Sequence, residues 1–227
     1  MNYRFNNYSR KNIRIFWFSI LFTILIIVLA NPAQSQVTLC YPDCPNDVWN
    51  PMPPSPALTY QITLPCGEPV IVHYRTRIAC GAFYDLFIEE IEFLNGYAGG
   101  QHCGQTMTVS EMLEAAMVQM MIADPMRFPP DTSSADTCVD NYRVMVGGCW
   151  KPTFPIGVGG FVSKADGITP NVTAGLLYPC VFVECCIDWY TVCIVNHQKV
   201  ITYNSAKSTP GYCDPRQYQL GCYPACQ

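Results

Sequence analysis

The chain has 227 residues, with 13 Lys+Arg against 17 Asp+Glu (formal net charge −4) and 14 cysteines. Charged residues make up only 13% of it while half is hydrophobic, which leaves no basic patch for nucleic acid in a chain long enough for one sizeable core. All fourteen cysteines lie after residue 39, so a cysteine-free leader precedes a cysteine-dense body.

The leader comes first. Met1–Ile13 is polar and basic through Arg4, Arg10 and Lys11, and Arg14 closes this region. Ile15–Ala30 is apolar, Asn31-Pro32 breaks the run, and Ala33-Gln34-Ser35 puts small residues at −3 and −1 of a cleavage point. This is the order of a secretory signal peptide. As a helix the apolar run spans about 24 Å, short of a hydrocarbon core of about 30 Å, which favours cleavage over an uncleaved anchor. Leu39 stands before Cys40 where a lipoprotein would need a small residue. Residues 1–35 are therefore read as the signal peptide, with no stable membrane span after its removal. The chain from Gln36 keeps nine Lys+Arg and all 17 acids, a formal charge of −8. Such a surface repels nucleic acid and anionic membranes.

An even, dense cysteine set behind an export leader reads as a disulfide framework made in an oxidising compartment. All of Cys40, Cys44, Cys66, Cys80, Cys103, Cys138, Cys149, Cys180, Cys185, Cys186, Cys193, Cys213, Cys222 and Cys226 are expected to be structural, in pairs the sequence does not assign. One native bridge is typically worth about 2–4 kcal/mol and a whole domain about 5–15 kcal/mol, so reduction is expected to unfold the protein.

Residues 36–56 form a proline-rich arm (Pro42, Pro45, Pro51, Pro53, Pro54, Pro56), extended because proline fixes φ and removes donors. Residues 57–227 are read as one domain. Leu58, Tyr60, Ile62 and Leu64 alternate as in a half-buried strand, Pro65–Pro69 is a turn, and Val70–Ala79 is a second strand, giving a hairpin. In Tyr84–Leu94 the apolar phase shifts at Glu89-Glu90, which predicts a β-bulge. Asn95–Thr106 is glycine-rich and reads as a loop. Thr108-Val109-Ser110-Glu111 is a capping box opening a helix over Val109–Ala123, stopped by Pro125, with an apolar face of Met112, Leu113, Ala116, Met117, Met120 and Met121. That methionine stripe is read as core rather than as a binding groove.

Asn141–Val146 is a short strand, and Lys151–Pro179 reads as irregular. Cys186–Val195 and Lys199–Asn204 form a second hairpin around Asn196-His197-Gln198. Cys185 and Cys186 point to opposite faces of their strand and are expected to take different partners. The tail is expected to be stapled back by Cys213, Cys222 and Cys226. Together these elements predict an α+β domain: an antiparallel twisted sheet of about six strands, one helix between its two halves, and long disulfide-stapled loops.

Each candidate chemical motif has a plainer reading. Asp131-Thr132-Ser133 resembles an aspartic-protease signature, but Phe128-Pro129-Pro130 before it is a poor strand and Asp136-Thr137-Cys138 is a weak second copy. His73, His102 and His197 lack the i, i+4 spacing of a zinc protease. Glu89, Glu90 and Glu92 could pair as glycosidase carboxylates, but three acids in one strand more often form a solvated face. There is no Cys-x-x-Cys, Gly-x-Ser-x-Gly, P-loop or dinucleotide fingerprint. Asn171-Val172-Thr173 is a glycosylation sequon only in a eukaryotic host. Fourteen tyrosines and four tryptophans leave aromatic recognition as the best pointer to binding.

The spaced signals Pro65-Cys66-Gly67, Ile78-Ala79-Cys80-Gly81, Ala123-Asp124-Pro125-Met126, Gly148-Cys149-Trp150, Cys185-Cys186 and Cys222-x3-Cys226, with the Ala-Gln-Ser-Gln end of the leader, resemble those of exported cysteine-rich proteins of Bacteroidota/Chlorobi-type bacteria. The resemblance implies a Gram-negative exported protein (periplasm, outer surface or medium) and brings no activity or substrate. The expected function is a non-enzymatic structural or binding protein, without cofactor or metal, whose partner is a protein or glycan at the cell surface or another copy of itself. The alternatives are a secreted hydrolase using Asp131 or Glu89/Glu90, and redox or metal handling through unpaired cysteines.

Overall fold

The computed structural model describes residues 44, 46–131, 136–154, 156, 175–218 and 220–226, with backbone only for 181–184. All of them fall in one unit, Thr38–Gln227. Residues 1–35, read from the sequence as a signal peptide, the start of the proline-rich segment, Thr132-Ser133 and Asn171 lie outside the described residues.

Strands β1 (Leu58–Thr63) and β2 (Pro69–Ala79) pair antiparallel across the predicted turn. Gly67 donates to the Leu64 carbonyl and Leu64 to the Glu68 carbonyl, with Gly67 at φ 91°. This is the three-residue hairpin loop in which a glycine in the left-handed region closes a type I turn. Strand β3 (Phe83–Phe93) pairs with β2, and the register slips where His73 faces Glu90 but Tyr74 faces Ile88. Glu89 is therefore the extra residue of a bulge, where the apolar phase shift predicts one. Strict alternation from Leu86 and Ile88 would drive Glu90 and Glu92 into the core; the bulge resets the phase, and Ile91 and Phe93 are buried instead.

The glycine-rich segment after β3 departs from expectation. It is helix α1 (Gly96–Thr106), not a loop. Its glycines serve packing: a Cβ on Gly100 would collide with the Phe154 ring, and one on Gly99 would come within 2.9 Å of Glu68 Oε2. The Cys66–Cys103 disulfide pins α1 to the β1–β2 turn. Helix α2 (Val109–Ala123) matches the predicted span. Its capping box is formed, with the Thr108 hydroxyl accepting from the Glu111 amide (3.2 Å) and the Glu111 carboxylate accepting from the Thr108 amide (2.7 Å). Every residue of the predicted methionine stripe is buried. Asp124, at φ 48°, ends the helix one residue before Pro125.

Strands β4 (Cys138–Pro152) and β5 (Gly175–Val195) are longer than their sequence patterns indicate. Gly147-Gly148 and Pro179 read as breakers, but register shifts around Cys149 absorb them and the strands continue. Strand β6 (Gln198–Tyr203) follows a turn at Asn196 and His197, whose φ angles of 53° and 62° give the type I′ geometry. A single helical turn, α3 (Pro215–Tyr218), and a two-residue strand, β7 (Tyr223–Pro224), complete the chain.

The seven strands form one sheet in the order β1-β2-β3-β4-β5-β6, with β7 on β4. It is antiparallel except between β3 and β4, which run parallel over Tyr84–Phe87 and Tyr142–Met145. The sheet is thus mostly antiparallel, as expected, with this one parallel junction. The two helices α1 and α2 fall between β3 and β4 in sequence, and the crossover they form lets the two strands run the same way. One face of the sheet packs against α2 through Val72, Ile88, Ile91, Val144, Tyr190 and Val192. Against the other face lies the end of the proline-rich arm, where Asn50 bridges Thr76 beyond the end of β1 and Trp49 contacts Phe87.

Six disulfides lie among the described residues: Cys44–Cys80, Cys66–Cys103, Cys138–Cys193, Cys149–Cys213, Cys180–Cys222 and Cys186–Cys226. Three of them staple the tail to β4 and β5, as expected. Cys185 is also disulfide-bonded, and Cys186 takes Cys226 rather than its neighbour. Substituting Thr108 by Ala removes the hydroxyl half of the α2 cap; urea unfolding of the oxidised protein should then show a loss of about 1 kcal/mol.

Candidate functional site

The sheet face opposite α2 concentrates the unusual chemistry. Side chains alternate along a strand, so Arg75 and Arg77 of β2, Phe83, Asp85 and Phe87 of β3, and Arg143 of β4 share this face. Register then sets Asp85 directly opposite Arg77 on one side and Arg143 on the other. Arg143 grips Asp85 with both ends of its fork, Nε to Oδ1 at 2.6 Å and Nη2 to Oδ2 at 2.8 Å. Arg77 Nε donates to Oδ2 at 2.9 Å. The side chains of Asp85 and Arg143 are fully buried and that of Arg77 is 4% exposed. Aromatic rings receive the guanidinium faces: Arg143 stacks over Phe83 (4.1 Å) and near Trp189 (5.4 Å), and Arg77 over Trp49 (4.6 Å). The Asp85 carboxylate is thus gripped by two arginines, enclosed by aromatic rings and closed off from solvent.

Further along the same face, Arg75 pairs with Glu89 and donates to the Pro51 and Ser55 carbonyls at 2.6 and 2.8 Å. One guanidinium thereby holds both the bulge and the arm. His73 lies across from the other two glutamates, with Nε2 3.5 Å from Glu92 and 3.9 Å from Glu90. Burial raises the Glu90 carboxyl above its ordinary value, against the lowering effect of His73, and Glu92 and Glu89 add to the rise. The three glutamates thus reach one face because of the bulge, but Glu89 is engaged by arginine while Glu90 and Glu92 flank a histidine on an open surface.

The remaining sequence candidates are scattered. His102 Nε2 is 3.2 Å from the Cys66 carbonyl beside the α1 staple, and His197 sits in the β5–β6 turn. Asp131 is exposed, and Asp136 accepts from the Asn196 amide at 3.3 Å; neither is brought to the glutamates. Cys44, Asp47 and Cys80 converge within metal-ligand spacing. However, the two sulfurs are bonded to each other and Asp47 accepts from the Cys80 amide, so the cluster is a braced disulfide rather than a thiolate site. Among the described residues no cysteine is free. The Arg77–Asp85–Arg143 cluster is what sequence reading missed. Its only signal is alternation, with Arg75 and Arg77 two apart and Asp85 two before Phe87, and that signal needs the strand register before it means anything.

No helix among the described residues is long and apolar enough to cross a membrane. No family model, curated protein or solved structure matches the chain.

Asp188 on β5 is pushed up by burial, partly offset by hydrogen bonds from Tyr203 and Ser208. Its ionisation therefore opposes folding. The stability it allows is full below the ordinary aspartate value of 3.8 and is lost as pH rises through the higher folded-state value. Asp188→Asn should raise the melting temperature at neutral pH, and the gain should vanish below about pH 3.8 in paired thermal melts across pH.

Proposed function

We propose that the chain is an exported, disulfide-stabilised structural or binding protein that carries out no catalysis of its own. The observation that carries this reading is the fate of its acidic side chains. Asp85 is clamped by two arginines and Glu89 by Arg75, so the fully buried carboxylate and the bulge glutamate hold strands together instead of facing a cleft. The six described staples suit an oxidising compartment. Exposed Tyr60, Tyr97, Tyr203, Tyr212 and Tyr218 supply the amphipathic contacts that recognition surfaces favour. We place its origin with exported cysteine-rich proteins of Bacteroidota/Chlorobi-type bacteria, with residues 1–35 removed as a signal peptide, residues 36–56 as the arm and a protein or glycan of the cell surface as partner. The cysteine signals of that resemblance fall on staples: Cys66, Cys80, Cys149, Cys222 and Cys226 are all bridged.

One observation favours a second reading, a carboxylate-dependent hydrolase. The Glu90 carboxyl is raised by burial and lies beside Glu92 and His73, and a raised carboxyl near a second one is what the general acid of glycoside hydrolysis requires.

Two measurements separate these readings. The intact mass of the exported protein, alkylated without reduction, is expected to start at Gln36 and to lack fourteen hydrogens relative to the reduced chain, one for each cysteine, with no alkyl group added; alkylated cysteines would revive redox or metal handling. A panel of glycoside and peptide substrates should show no turnover above buffer. Turnover that disappears in Glu90→Gln would overturn the non-enzymatic reading.

A further inference from the structure

Sheet edges carry unpaired backbone groups, and among the described residues β1 is an edge strand. The hairpin phase fixes which of its groups face outward. Leu64 donates inward to Glu68, so Ile62, Tyr60 and Leu58, at two-residue steps, also bond inward to β2, while the N–H and C=O groups of Thr59, Gln61 and Thr63 point away from the sheet. Natural edges are normally blunted by lysine, proline or a bulge. Leu58–Thr63 (LTYQIT) has no charged residue and no proline, and its register with β2 is unbroken over all six residues. The opposite edge, β6, differs: it carries Lys199, whose Nζ lies 2.6 Å from Asp124 Oδ2 at the end of α2.

We infer that β1 is an interface for a second copy of this chain, two β1 strands pairing antiparallel about Tyr60 to join both sheets into one. The inference rests on the binding or assembly reading above and names its partner. Self-complementarity selects a second copy. Leu58, Tyr60 and Ile62 lie opposite Tyr74, Val72 and Val70, so all three are on the α2 side of the sheet. A two-fold axis normal to the sheet preserves sides, so residues of like parity must meet. With Tyr60 opposite its own copy, Leu58 meets Ile62 on both sides of the axis, and Thr59 and Gln61 exchange backbone hydrogen bonds. An open depression lined by Tyr60, Ile62, Gln119 and Ala123 lies where Leu58 of the second copy would arrive. Charge points the same way. Two acidic molecules repel each other over most of their surfaces, and β1 offers each a strand free of charged side chains. An extended peptide of another protein could use the same backbone groups, but it would not need this symmetry.

The test is sedimentation of the oxidised chain, with its native staples, from roughly 1 to roughly 100 μM. The expected result is a concentration-dependent monomer–dimer equilibrium. Gln61→Pro removes an outward N–H without costing an internal bond, and Tyr60→Lys sets two ammonium groups face to face across the axis. Each should weaken the dimer by at least about tenfold in Kd, with unchanged disulfide mass and circular dichroism. Val200→Lys on the other edge should leave it unchanged. A monomer throughout the range, or a dimer indifferent to both β1 variants, overturns the inference. A monomer whose β1 instead captures an extended peptide also overturns it and gives the edge to another protein. None of these results touches the non-enzymatic reading, which falls only to carboxylate-dependent turnover.

Discussion

One buried carboxylate fastens three strands. Asp85 sits between Arg77 on β2 and Arg143 on β4, at the parallel junction where the two sequence halves of the sheet meet. That junction is only four residues long, and it is set by a crossover through α1 and α2 rather than by a tight turn. A short parallel pairing has little register specificity of its own. The ion cluster supplies it, because a slip by one residue at this junction would turn Arg143 to the α2 face, away from Asp85. Buried ion pairs contribute little net stability because desolvation offsets attraction, yet losing one partner is costly. The cluster therefore selects a single pairing more than it strengthens the fold. The aromatic rings of Trp49, Phe83 and Trp189 lie against the two guanidiniums.

The bulge at Glu89 is the second constraint, and it links fold to surface chemistry. It keeps Ile91 and Phe93 on the core side while setting three glutamates on the other. Arg75 then uses Glu89 to anchor the arm at Pro51 and Ser55. Disulfides complete the enclosure: the arm at Cys80, the hairpin turn at Cys103, the tail at β4 and β5. Burial, pairing and stapling thus occupy most of the groups that would otherwise suggest catalysis. What remains accessible is an aromatic-rich surface and an unprotected edge.

What the sequence disclosed was local. The phase shift at Glu89-Glu90, the capping box at Thr108, the methionine face of α2 and the opposed Cys185-Cys186 pair follow from periodicity within one element, and each is found where the pattern places it. Helix α1 escaped because glycine argues against helices; only the closeness of Phe154 and Glu68 explains why small residues are required there. The parallel β3–β4 pairing and the Arg77–Asp85–Arg143 cluster escaped for a related reason. They depend on which strands become neighbours, and no periodicity encodes that. The long strands β4 and β5 were obscured by Gly147, Gly148 and Pro179, which bulged pairing tolerates.

The most direct measurement is the denaturant stability of Asp85→Asn against wild type, both fully oxidised. If Asp85 is the fastening of the sheet, the variant removes the charge that both buried guanidiniums grip and loses about 3–5 kcal/mol. A loss below about 1 kcal/mol, in the range of an ordinary surface pair, would contradict it.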